Sequence, residues 1–132
     1  MLPGTVTHVA LQDELAGTFR LVSLETRRVD GGVSWPFGRD VTGMFTFDRA
    51  GNYSVQLFGE SKMAMFGTYV VDDAQQTFTL TPTAALDPAM VGIEVLRHVD
   101  LSGAHAVFNT PTQVIDGVEA VTYITWQKVA ST

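Results

Sequence analysis

Apolar side chains recur at every second position along most of the chain, which is the period of a pleated strand and not of a helix. The run from Ile93 shows this clearly: Val95, Val99 and Leu101 share its parity, interrupted by Arg97, while Glu94, His98 and Asp100 hold alternate positions. Such a segment buries one face and wets the other. The same alternation, rich in Val, Ile, Thr, Phe and Tyr, predicts further strands over 18–27, 42–48, 53–58, 66–71, 77–81, 104–110 and 118–129. Between the strands stand Asp30-Gly31-Gly32, Asp48 to Asn52, Asp72-Asp73, Ser102-Gly103 and Asp116-Gly117. These residue types favour tight reversals, because Gly, Asn and Asp accept the backbone angles that hairpins need. Helix is confined to a short turn over 11–16, stopped by Gly17, and another within 83–90, where Asp87-Pro88 resembles a helix start.

Consecutive strands joined by hairpins form a meander, and a sheet of this many strands would keep two raw edges unless it closed. The expected fold is therefore all-β: an up-and-down antiparallel β-barrel of eight to ten strands with one or two short helical turns. No linker, repeat or block of charge divides the 132 residues, so a single domain spans 1–132, with 1–14 as an N-terminal arm. A domain of this length buries about two-thirds of the surface its unfolded chain exposes. It needs no disulfide, and the cysteine count is 0.

Composition changes the picture in two ways. Hydrophobic residues make up 45% and charged residues only 17%, against an average charged share of about 25%. A chain so lean in charge suits apolar surface in more than one place, either a lined cavity or an interface such as that of a homodimer. The net charge of -6, with Arg27-Arg28 as the local basic pair, argues against a nucleic-acid partner. No stretch approaches the roughly 18 apolar residues of a membrane helix, and 1–10 lacks the basic start and apolar run of a signal peptide. The expectation is a cytoplasmic protein without membrane insertion.

Several short motifs follow one another in order. Gly17-Thr18-Phe19 heads the first strand, Trp35-Pro36-Phe37-Gly38 follows a turn, and Gly43 precedes an apolar strand. Then come Gly51-Asn52-Tyr53, Gly67-Thr68-Tyr69, Val91-Gly92 leading to Arg97, Thr110-Pro111 and Trp126-Gln127-Lys128. In this order and spacing they resemble the small lipocalin-like domains of bacteria and fungi over nearly the whole chain. The resemblance implies a barrel that encloses a ligand. It also implies an aromatic plug at the closed end, covered by a basic residue from the last strand. Phe19 stands where the family has Trp, and Lys128 is placed to lie across it; the simpler alternative is a core Phe19 and a surface Lys128. Similar barrels include passive binders as well as cyclases and isomerases acting on polyketides or terpenoids, so the resemblance fixes no reaction.

Candidate chemistry is sparse. His8, His98 and His105 share no ligand spacing and cysteine is absent, so no metal site is expected. No glycine-rich phosphate loop precedes a helix and no nucleophile elbow occurs, so no cofactor is expected either. Strand parity offers more. If Phe19 points inward, so do Leu21, Ser23 and Glu25, and the parity of Ile93 and Val95 carries Arg97 inward. Glu25 and Arg97 then face one interior, either as a structural ion pair or, in a catalytic reading, as acid-base group and anchor for a carboxylate or enolate oxygen. Tyr53 joins them as a hydroxyl donor. His98, on the opposite parity, and His105, after a turn, read as surface residues, and His8 lies in the arm. Trp35, Phe37, Met63, Met65, Tyr69, Val95 and Tyr123 are the candidate ligand contacts, with flexible Met suited to an adaptable apolar site.

Three functions fit these residues. The first is a barrel that encloses a small hydrophobic molecule, polyketide- or terpenoid-like. The second is a cofactor-independent isomerase, cyclase or dehydratase of natural-product biosynthesis on the same frame. The third is a structural module whose barrel is filled by its own side chains.

Overall fold

The computed structural model describes residues 10–131. His8 and most of the expected N-terminal arm lie outside them. The chain runs α1 (Leu11–Leu15), β1 (Gly17–Arg28), β2 (Val33–Ser34), β3 (Thr42–Phe47), β4 (Asn52–Phe58), β5 (Lys62–Asp72) and β6 (Thr77–Ala85). A 3₁₀ turn (Pro88–Met90) follows, then β7 (Val95–Ser102), β8 (His105–Asn109), β9 (Gln113–Ile115) and β10 (Val118–Ser131). The reversals use the residues that favour them. Asp116 and Gly117 both take positive φ, 53° and 77°, as a two-residue hairpin requires. The Asp48 carboxylate accepts the backbone N–H of Ala50 and of Asn52, at 2.9 and 2.8 Å, and so ties the turn between β3 and β4.

The sheet order is β2-β1-β3-β4-β5-β6-β7-β8-β10-β9, with β1 also paired to β10. That last pairing closes eight antiparallel strands into a barrel; β2 and β9 are short additions outside the ring. The closing seam is long, from Gly17 opposite Ser131 to Arg28 opposite Ala120.

Two register breaks decide what faces the interior. In β1 the register shifts between Leu21 and Ser23, so Leu21 and Leu24 are both buried although three residues apart. A bulge inserts one residue and reverses the parity of everything beyond it. Leu24 and Thr26 therefore point inward, while Ser23 and Glu25, expected inside, turn to the outer face. The second break, between Phe66 and Gly67, lies opposite Pro82. Proline has no N–H to continue the ladder, and a side chain at Gly67 would run into the Thr81 carbonyl oxygen. The strand expected from 93 starts instead at Val95, and Ile93 is exposed in the preceding loop. There β6 pairs with β7 only from Thr77 opposite His98 to Leu80 opposite Val95. Beyond that point the 86–94 loop lies along β6, with the Gly92 N–H donating to the Pro82 carbonyl at 3.0 Å.

The lower half of the barrel is filled with aromatic rings. Phe19, Phe45, Phe47, Phe78, Phe108 and Trp126 come from five different strands and meet mostly edge to face. Phe47 sits against Phe78 at 5.3 Å and Phe78 against Phe108 at 5.0 Å between ring centroids. Such pairs add about 1 kcal/mol each beyond the area they bury. Below them α1 buries Leu11 and Leu15 against the plug. Lys128 lies 5.7 Å from the centre of the Phe19 ring and donates through Nζ to the Glu14 carbonyl at 2.7 Å, on the last turn of α1. The resemblance implied this arrangement, and one side chain here both covers the plug and pins the helix beneath it.

Truncation should expose the plug's share of stability. Phe47→Ala is expected to cost about 4 kcal/mol in urea unfolding. Gly67→Ala, which overfills the backbone crossing, should cost about 2 kcal/mol.

Candidate functional site

Above the plug the barrel opens. A narrow chamber of about 30 Å³ lies directly on Phe45, Phe108 and Trp126. It continues into a mouth of about 290 Å³ bounded by Leu24, Phe37, Met90 and Gln113. Leu57, Met63, Met65, Val95, Arg97 and Ile124 line both, so the two volumes adjoin. A groove of similar size on the outer face, beside Phe66 and Leu86, contains no charged side chain.

The aromatic-Pro-aromatic-Gly segment forms one lip of the mouth. Phe37 lines it, and its carbonyl accepts the Glu60 N–H at 2.8 Å from the turn between β4 and β5. Gly59 lies so close beneath that a Cβ there would collide with the same carbonyl oxygen. Trp35 turns away: its ring stacks under the Arg39 guanidinium at 3.8 Å, on the outside. The opposite lip is polar but self-satisfied. Thr110 Oγ1 accepts the Thr122 N–H at 3.0 Å and the Gln113 amide at 2.8 Å, and the hydroxyls of Thr26 and Thr122 bond each other at 2.7 Å.

Arg97 is the charged group of this space. It takes the parity expected of it and lines the chamber, the mouth and a side opening between β7 and β9. Its Nη1 donates to the Leu96 carbonyl at 2.8 Å. Among the described residues no carboxylate makes a salt bridge with it. Desolvation lowers its pKa, though a guanidinium stays charged at any ordinary pH. Trp126 lines the chamber beside it, 1% exposed, and its indole N–H has no partner.

The other expected catalytic residues are elsewhere. Glu25 lies on the outer face through the β1 bulge and pairs with Arg27 at 3.0 Å. The expected meeting of Glu25 and Arg97 does not occur. Tyr53 does face inward, but at the level of Phe47, packed against Phe45 and outside the lining of the chamber. Tyr69 is also inward and too deep; its hydroxyl donates to the Asp48 carbonyl at 2.6 Å beside the plug. Tyr123 stands opposite Glu25 on the seam, with Arg27 over its ring at 4.8 Å, so it faces out. His98 and His105 are exposed. Of the expected ligand contacts, Phe37, Met63, Met65 and Val95 come together at the mouth, whereas Trp35, Tyr69 and Tyr123 do not. Leu24, Met90, Thr110, Gln113, Thr122 and Ile124 complete the lining and were not singled out from sequence. Leu24 could have been found from its spacing to Leu21, which no unbroken strand can bury on one face.

The family described as lipocalin-like domain matches residues 16–63. Over this stretch the chain is similar to lipocalin-like domains. The matched stretch covers β1, the Phe37 lip and the strands up to the start of β5, so it includes one wall of the mouth. No curated protein and no solved structure matches the chain. Among the described residues no helix is long and apolar enough to cross a membrane, and no cluster of His, Cys, Asp or Glu could hold a metal ion.

The buried phenol of Tyr53 supplies a pH test. Desolvation pushes its pKa from 10.0 up to about 12. The unfolded chain gives up this proton first, so the group's contribution to stability is complete below pH 10 and is lost as pH rises toward 12. Tyr53→Phe should therefore flatten the alkaline fall of stability in denaturation curves taken across that range. Near neutral pH it should cost nothing, since it deletes a hydroxyl that has no partner.

Proposed function

We propose that this barrel binds a small hydrophobic molecule of polyketide- or terpenoid-like character, held in its upper half. The observation that carries the reading is the largely apolar mouth above the plug, lined by Phe37, Met63, Met65 and Met90 and adjoining the deeper chamber. Three thioethers on one rim can repack around different shapes, and the few polar groups there leave orientation to a small number of contacts. The alternative of a wholly filled barrel accounts for the plug but not for this space. The enzyme reading keeps Arg97 of its three residues, because Glu25 faces out and Tyr53 lies below the chamber. Binding is therefore the reading the geometry favours.

A neutral apolar fluorophore such as N-phenyl-1-naphthylamine should brighten on mixing with the native protein. Val95→Phe, which adds bulk at a residue lining both volumes, should weaken that titration by about tenfold, the effect of roughly 1.4 kcal/mol. Glu25→Gln should leave it unchanged. A native protein that leaves the fluorophore dark would point to the filled module instead.

A further inference from the structure

The deep chamber contains donors without acceptors. The polar groups of the mouth, Thr26, Thr110, Thr122 and Gln113, bond among themselves. The two polar groups lining the chamber are different. The guanidinium of Arg97 spends one N–H on a backbone carbonyl, and no carboxylate pairs with it among the described residues. The indole N–H of Trp126 has no acceptor and is shut off from solvent. Both are side chains of an otherwise apolar wall; the buried indole N–H is unmet, and the half-buried guanidinium has N–H groups to spare.

We propose that the ligand is a small carboxylic acid that enters with its carboxylate foremost, placing that group between Arg97 and Trp126 and its apolar body in the Met-lined mouth. This rests on the binding function proposed above and adds the chemistry of the head group. The chamber's 30 Å³ has room for a small head group of a few atoms. The forked guanidinium offers several N–H groups in one plane, suited to the two oxygens of a carboxylate, and the indole supplies one more donor. The mouth, at about 290 Å³, contributes no further charged side chain and suits a hydrocarbon body.

The test compares two probes of equal length, octanoate and octan-1-ol, by titration calorimetry on the wild-type protein at neutral pH and on Arg97→Met. The expected result is that both probes bind the wild type, octanoate at least tenfold more tightly. Arg97→Met should abolish the preference, and a circular dichroism spectrum matching that of the wild type shows that the variant is folded. Equal affinities on the wild type would overturn the carboxylate assignment and leave the binding function standing. A preference that persists in a folded Arg97→Met would also overturn it. Absence of binding by both probes would overturn the binding function and this inference with it. Should Arg97→Met not fold, the wild-type comparison alone still decides.

Discussion

The contact between aromatic rings at the closed end is the constraint on which the rest of the structure depends. An eight-strand barrel has an interior that side chains can just fill, and six large rings fill the lower half of this one. They come from strands far apart in sequence, so each ring fixes the inward face of its own strand and thereby the register of its neighbours. The same packing sets the floor of the cavity. What remains above it is narrow, and the narrowness gives two isolated donors, Arg97 and Trp126, their chemical meaning.

The barrel combines a rigid floor with an adaptable rim. Phe45, Phe108 and Trp126 hold one another through ring contacts and belong to paired strands. Met63 and Met90 lie at the mouth, one at the start of β5 and the other on a single 3₁₀ turn. In the proposed binding mode, flexible thioethers at the opening and donors at the bottom divide two tasks: admitting a range of apolar shapes and selecting one polar end. Asp87 caps that 3₁₀ turn by accepting the Ala89 N–H at 3.0 Å, so the loop has a built start.

Much of the fold was legible in the sequence because its signals are local. Period-two alternation and Asp-Gly or Gly-Asn reversals predicted the strands and their antiparallel order, and edge avoidance predicted closure. The site was legible only where alternation runs unbroken. Val95 and Arg97 fell on the expected side because β7 is regular. Glu25 did not, because the bulge after Leu21 inverts the remainder of β1, and a bulge leaves only an oblique trace in sequence. Tyr53 and Tyr69 show a different limit. Both face inward, but alternation gives the face and not the depth, and depth is fixed by register across the whole ring. Tyr123 was within reach: a Lys128 laid over Phe19 and an inward Trp126 already turn Tyr123 outward by alternation.

The seam between β1 and β10 has a kinetic consequence. It joins residues as far apart as Gly17 and Ser131, and contacts of such separation are slow to form because the whole chain must be brought round before any of them is made. Until they form, the nascent sheet presents two unpaired edges, each a template for another copy of the chain. The hazard of misassembly is concentrated in that interval, before the first and last strands meet, and closure removes both edges in one step.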